Sequence, residues 1–495
     1  MKYLLLLISL ITLRASAQKL TFIESDAKEK DCVHQIFTTS SGKYVDLKYG
    51  SFIRALNYSV GINAVVAVYD HQLNQLFSKP LDATARKMFI AGYTIGDKLI
   101  LFFSNRENAV QVYELNVEDG TASLVADLVK PTAEDASLTV GPSSDTSHFY
   151  VVYKTTHKNE PSSYEGFIID KQFKIVTKFV ASNEEPDKNI DQIKFIVSDD
   201  GIFNIIAAVK GSDTKKDFNP FNYTIIQVNA SGKVSTGHLT GIPGGLFKNI
   251  AWYAVKNDVQ FKGFYEMEKS PDFTTVISGV YDGLQRKVTQ IKKTELAQKV
   301  SVTASLLHYY TLKDNSTVIM LEPSGGTHID YVPKPNPIGS SFSMQREPAT
   351  VGVGNLYMIK ITANNEIAWV KTIYKNQLEM NFHAFTGSAI LPDNNDGFYI
   401  FYQDCLKNTD VDDTTPRRVV LPGGKRDGLA VVHISADGKM TKKFQEPSFN
   451  HKRYSGVPFS PVFIATEGGN RLIYVSFKHK NMDRSLYHLS AVTVE

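Results

Sequence analysis

Residues 428–444, GLAVVHISADGKMTKKF, decide how this chain is read. Residues 428–434 are an apolar run rich in β-branched side chains, which suits a buried strand. Ala436-Asp437-Gly438 carries turn chemistry: Gly takes φ > 0 without steric cost, and Asp tolerates the left-handed region. Residues 439–444 then alternate basic with other side chains. The stretch reads as strand, tight turn, strand.

The same design recurs upstream. It appears as VVAVYDHQLNQLFSKPL from Val65, VQVYELNVEDGTASLVADL from Val110 and GFIIDKQFKIVTKFV from Gly166. It returns as YTIIQVNASGKVSTGHL from Tyr223, TVISGVYDGLQRKVTQI from Thr275 and LYMIKITANNEIAWVKTI from Leu356. Turns centre near Leu73, Asp119, Gln172, Ser231, Gly283, Asn365 and Asp437, so the interval runs from 46 to 59 residues and then widens to 82 and 72. Each hairpin is preceded by a second strand pair, turning at Gly96-Asp97, Asp200-Gly201, Asn257-Asp258 and Asp396-Gly397 among others. Four strands per unit at about 50 residues is the size of a propeller blade.

The fold class expected is all-β. It is a β-propeller of four-stranded antiparallel blades, with eight blades favoured and seven allowed if the weak first unit is not a blade. The units lie at approximately 30–81, 85–130, 135–182, 190–241, 246–293, 302–375, 384–446 and 458–495. The last supplies only three strands, so KLTFIE at 19–24 is expected to complete it. An open ring would leave two unpaired edges, which are pairing hazards. Stacked β-sandwiches are the competing architecture, since Asp and Gly turns suit any antiparallel protein.

Residues 1–17 read as a secretory signal peptide: Lys2, an apolar run over 3–13, and Ala15-Ser16-Ala17 before Gln18. The run is shorter than the ~20 residues a membrane span needs. No transmembrane anchor is expected, and residues 18–495 form one domain. The formal charge of +3 falls to +1 when Lys2 and Arg14 leave with the peptide. A near-neutral exported protein is a poor partner for nucleic acid. A periplasmic or extracellular address permits a disulfide between the two cysteines, Cys32 and Cys405.

The sixth and seventh units are swollen at one place, between their second and third strands: residues 323–354 and 405–427. Loops of that length are usually functional or disordered. In a propeller both emerge on the same face, so they would stand side by side over the rim. Candidate ligand-binding residues there are His328, Tyr331, Arg346, Arg417, Arg418 and Arg426. Aromatic and His side chains stack on sugars and peptides, and Arg forks match carboxylates. Asp410, Asp412 and Asp413 form an acidic cluster able to hold Ca²⁺, or simply a solvated loop tip. Asp393-Asn394-Asn395-Asp396-Gly397 reads as a strand turn rather than a metal loop. No phosphate-binding loop, His-Glu-x-x-His, zinc-type Cys pairing or Gly-x-Ser-x-Gly is present.

With the ASAQ cleavage site, the hairpins NNEIAWVKTI and SADGKMTKKF resemble those of uncharacterised secreted β-propeller-like proteins of bacteria. The resemblance implies export and no assigned reaction. Ile367-Ala368-Trp369 is similar to a blade-docking element of quinoprotein dehydrogenases but occurs once, so no such cofactor is carried over. The recurrent Gly-His and Trp-Asp pairs of WD40 blades, the sialidase Asp-box and the kelch pattern are missing. The expected function is a binding or scaffolding module engaging a protein, peptide or glycan through the loop face over the sixth and seventh blades. The alternative is a carbohydrate-active enzyme with its site at the axial mouth.

Overall fold

In the computed structural model, residues 20–24, 33–49, 64–81, 87–105, 109–128, 136–157, 159–210, 221–239, 246–266, 272–301, 304–312, 314, 316–326, 331–335, 342–346, 350–364, 366–375, 377–380, 387–393, 395–408, 427–444, 459–467, 471–479 and 485–494 are described. Among them the only helix is a 3-10 turn at Asp187–Asn189. No described helix is long and apolar enough to cross a membrane.

In the first five units and the seventh, successive strands pair antiparallel in chain order from first to fourth. The first blade, for example, runs Val33–Thr38, Tyr44–Tyr49, Val65–Tyr69 and Gln75–Pro80. Second strands are buried on both faces, as in Phe398–Cys405, where every residue is buried. Fourth strands alternate toward solvent, as in Gln75–Pro80. This gradient arises because sheets stack face to face. Apolar clusters bridge each pair of neighbouring sheets. Val45, Leu47 and Val66 meet Leu99 and Leu101 between the first two, and Met320 and Met358 meet Ile400 and Val432 between the sixth and seventh. Ile36, Tyr44 and Tyr69 meet Ile473, Leu489 and Ala491 between first and last. That last cluster closes the ring.

The ring holds seven four-stranded antiparallel blades. Eight equivalent blades were the favoured expectation and seven the allowed one. The sixth unit is the one that departs from four strands, forming a six-stranded sheet. Its spine, Ala304–Thr311, Thr317–Gly326, Leu356–Ile361 and Ile367–Ile373, is extended by Thr350–Val353 and Gln377–Met380. Residues 323–354 were expected to be irregular, but they carry strand pairing. Ser324, Gly325 and Gly326 face Val353, Gly352 and Val351, and 350–353 pairs onward with 377–380.

The chain ends meet as expected. Leu20–Glu24 pairs antiparallel with Ser485–Val494, Leu20 opposite Val494 and Glu24 opposite Ser490. The closing blade therefore runs from the C-terminal strands outward to an N-terminal edge strand.

Turns on the face opposite the long loops latch neighbouring sheets. Ser40 Oγ donates to Asp97 Oδ1 across the first two blades at 2.7 Å, and Ser144 Oγ donates to Asp199 across the third and fourth at 2.8 Å. Arg471, in the closing blade, donates to His71 of the first. The opening hairpin docks in the same way. Trp369 of the sixth sheet donates from Nε1 to Ala436 O at 3.1 Å. Gly438 sits at φ 84, and a Cβ there would lie 2.9 Å from the Trp369 ring. Glycine is thus required both by φ and by the close approach.

Candidate functional site

Strand alternation builds the seam between the sixth sheet and the seventh blade. Val318 and Met320 point into the apolar cluster of that seam, as do Phe398, Ile400 and Tyr402. Two residues further on, with the same parity, come Glu322 and Asp404. Trp369 and Ile373 of the sixth sheet's fourth strand enter the same cluster, and Lys375 follows two residues later. Met440 and Phe444 pack against it, with Lys442 between them in register. One apolar seam therefore ends, at the loop face, in two carboxylates and two ammonium groups.

These charges are buried and paired. Lys375 Nζ lies 2.5 Å from Glu322 Oε1, with the lysine side chain fully buried. Lys442 Nζ lies 2.6 Å from Asp404 Oδ2, both side chains almost wholly buried. Neutral groups complete the set. Ser388 Oγ donates to Glu322 at 2.9 Å. Lys375 Nζ also donates to Gln377 Oε1 at 3.0 Å, which accepts from Gly387 N at 2.8 Å. Gln377 Nε2 donates to Gln403 O at 2.9 Å. Asn408 Nδ2 and the Cys405 N–H both donate to Asp404 Oδ1, at 2.7 Å and 2.8 Å. Burial pushes the Lys375 ammonium below the ordinary lysine range, while Glu322 and Asp404 pull it back. Charges buried this way persist only when paired and hydrogen-bonded. Each of these four charges has its counter-charge within hydrogen-bond distance.

In the chain between Thr317–Gly326 and Thr350–Val353 lies a separate two-stranded hairpin, Tyr331–Pro335 against Phe342–Arg346. It sets two candidate ligand residues opposite each other: Tyr331 and Arg346 are direct cross-strand partners. His328, Arg417, Arg418 and Arg426 lie outside the described residues, as do Asp410, Asp412 and Asp413. Among the described residues, no group of three His, Cys, Asp or Glu side chains is arranged to hold a metal. Cys405 is buried at the end of its strand, where it pairs in register with Asp427; Cys32 lies outside the described residues.

Other polar sites have structural roles. The 393–397 stretch is the turn expected: Asp393 Oδ1 accepts from the N–H groups of Asn395 and Gly397, each at 2.7 Å. His433, stacked on Tyr399, pairs with Asp393 Oδ2 at 2.8 Å, a cross-strand strut that sequence did not reveal. Between the fifth blade and the sixth sheet, Lys262 donates to Thr317 Oγ1 at 2.8 Å. Burial lowers its pKa, and no acid among the described residues pairs with it.

No protein-family model matches the sequence, and no curated protein does. Solved structures do resemble the chain. The WD40 domain of SCAP from fission yeast is 11% identical at TM-score 0.44, covering 96% of this chain and 98% of its own. The polysaccharide lyase Uly1 is 9% identical at TM-score 0.39, covering 94% and 100%. The β-propeller domain of the Trilobed protease from Pyrococcus furiosus is 12% identical at TM-score 0.33, covering 84% and 99%. The architecture itself rests on the strand pairing described above.

Proposed function

We propose that the protein is an exported binding or scaffolding module whose ligand-binding face stands over the sixth sheet and seventh blade. The observation that carries this reading is the buried base of Glu322, Lys375, Asp404 and Lys442 beneath the two longest second-to-third-strand connections. Fixing four charges out of water gains little net stability, because desolvation offsets the attraction. Each pair fixes strand ends within one sheet, and the bonds from Ser388 to Glu322 and from Gln377 to Gln403 O join the two sheets, which is what a pre-organised platform needs. The hairpin bearing Tyr331 and Arg346 follows Glu322 in the chain. Residues 405–427, with Arg417, Arg418 and Arg426, follow directly on Asp404 in the chain. A protein, peptide or glycan with carboxylate groups suits this set, since Arg forks take carboxylates in two-point contact. Export through residues 1–17 places the module in the periplasm or outside the cell.

The test uses purified residues 18–495 on a glycan array and a displayed peptide library, with a hydrolysis screen in parallel. Replacing residues 411–424 by a short Gly/Ser linker spares Asp404, Asn408 and Gly428 and is expected to abolish binding of the array hits. Unchanged binding in a variant with an unaltered urea midpoint would refute the loop-face reading. Turnover without retained ligand would favour the enzyme reading. Sequencing the N-terminus of the exported protein is expected to begin at Gln18.

A further inference from the structure

A concavity lies far round the ring, between the third and fourth blades. It has a volume of about 330 Å³, at the lower end of the range for small-molecule sites. It opens between the innermost strands Ser137–Pro142 and Ile190–Val197, on the face where the second strand, His148–Thr155, ends. The rim is polar, with Ser137, Lys154, Asp187, Asp191 and Gln192, while Phe195 contributes to an apolar wall.

The charges define what could enter. Lys154 Nζ lies 3.0 Å from Asp187 Oδ1, which also accepts from Ser162 Oγ at 2.6 Å. Burial raises the Asp187 pKa, but the hydrogen bonds from Ser162 and Lys154 outweigh it and hold the carboxyl below the ordinary range. Asp187 thereby offers this mouth a carboxylate that accepts hydrogen bonds. With Lys154 neutralised by Asp187, the remaining rim charge is the carboxylate of Asp191, so anionic ligands are disfavoured. A donor and an acceptor side by side match vicinal hydroxyls, each of which both gives and takes a hydrogen bond. The apolar wall matches the C–H face of a sugar ring. We propose that this cavity is a binding site for a neutral pyranose residue, separate from the site over the sixth sheet and seventh blade.

The test is ligand-observed saturation-transfer NMR on residues 18–495 with methyl hexopyranosides and with glucuronic acid, each at about 10 mM, where millimolar binding is detectable. At least one neutral pyranoside is expected to bind, and glucuronic acid to bind more weakly. Lys154→Met and Asp187→Asn are each expected to weaken binding about tenfold, the loss of one charge-assisted hydrogen bond. If either variant misfolds, Ser137→Trp fills the rim without breaking the ion pair and should abolish the signal. Removal of residues 411–424 should leave this binding intact, so failure of the loop-face reading and of this one are separable. No pyranoside binding, binding unchanged in a folded Ser137→Trp variant, or a preference for glucuronic acid would each overturn the proposal.

Discussion

Lys375→Met tests the buried base most sharply. The lysine side chain is fully buried and its Nζ sits 2.5 Å from Glu322. Methionine roughly conserves volume, so the loss is electrostatic and not a cavity. Glu322 would keep Ser388 as a donor but would be left without a counter-charge, and removing one partner of a buried pair costs about 3–5 kcal/mol. For some 480 residues the unfolding entropy is on the order of 1 kcal/mol/K, so the melt would move by only about 3–5 °C. Urea unfolding is the better assay, because midpoint and slope are then read separately. The pH arm has a definite sign. Without Lys375 the buried Glu322 carboxylate has no counter-charge, and taking up a proton relieves that cost, so the variant's deficit against wild type shrinks as pH falls. The pair Glu322→Gln with Lys375→Met should recover most of the loss at neutral pH. A Lys375→Met loss under about 1 kcal/mol, or a deficit that grows on acidification, would refute the reasoning.

Deleting residues 18–24 removes the strand paired with 485–494 and leaves that strand as an edge, so concentration-dependent association should appear in light scattering. Gly438→Ala puts a Cβ at φ 84 against Trp369 and should cost about 1–2 kcal/mol in urea unfolding. Lys262→Met removes an ammonium whose folded pKa is lowered. Between that lowered value and the unfolded ~10.4 the unfolded wild type binds more protons, so wild-type stability rises with pH there. The variant's stability relative to wild type should therefore be greatest near neutrality and decline as pH rises. If Asp410, Asp412 and Asp413 hold Ca²⁺, chelation lowers the melting temperature and added Ca²⁺ restores it; identical melts would remove calcium from the account.

The repeat was legible because its turns are written in backbone chemistry. Gly120, Gly232 and Gly438 take positive φ where the hairpins were expected to reverse. Leu73 and Phe173 take it too, yet they read as ordinary apolar residues. Both are buried in seams between neighbouring sheets, so packing overrides their backbone preference. The closing strand at 20–24 was legible from an unfilled fourth position. The sixth sheet was not, because Ser324–Gly326 and Thr350–Val353 are short, Gly-bearing stretches without alternation, and their pairing depends on the outside strand at 377–380. The buried base escaped for a related reason. Glu322, Lys375, Asp404 and Lys442 are unremarkable charges in one dimension; packing within each sheet pairs them, and stacking of the two sheets sets the pairs along one seam. Of the candidate ligand residues, the cross-strand placement of Tyr331 and Arg346 is the part that the pairing makes visible.

Hydrogen exchange with and without the tightest array hit tests most directly whether the loop face is the binding surface. The account expects amides of 322–326, 350–353, 377–380 and 403–408 to slow on binding. The turns of the opposite face, at 40–42, 144–147 and 436–438, should exchange unchanged. Protection confined to those turns, or spread evenly round the ring, would contradict it.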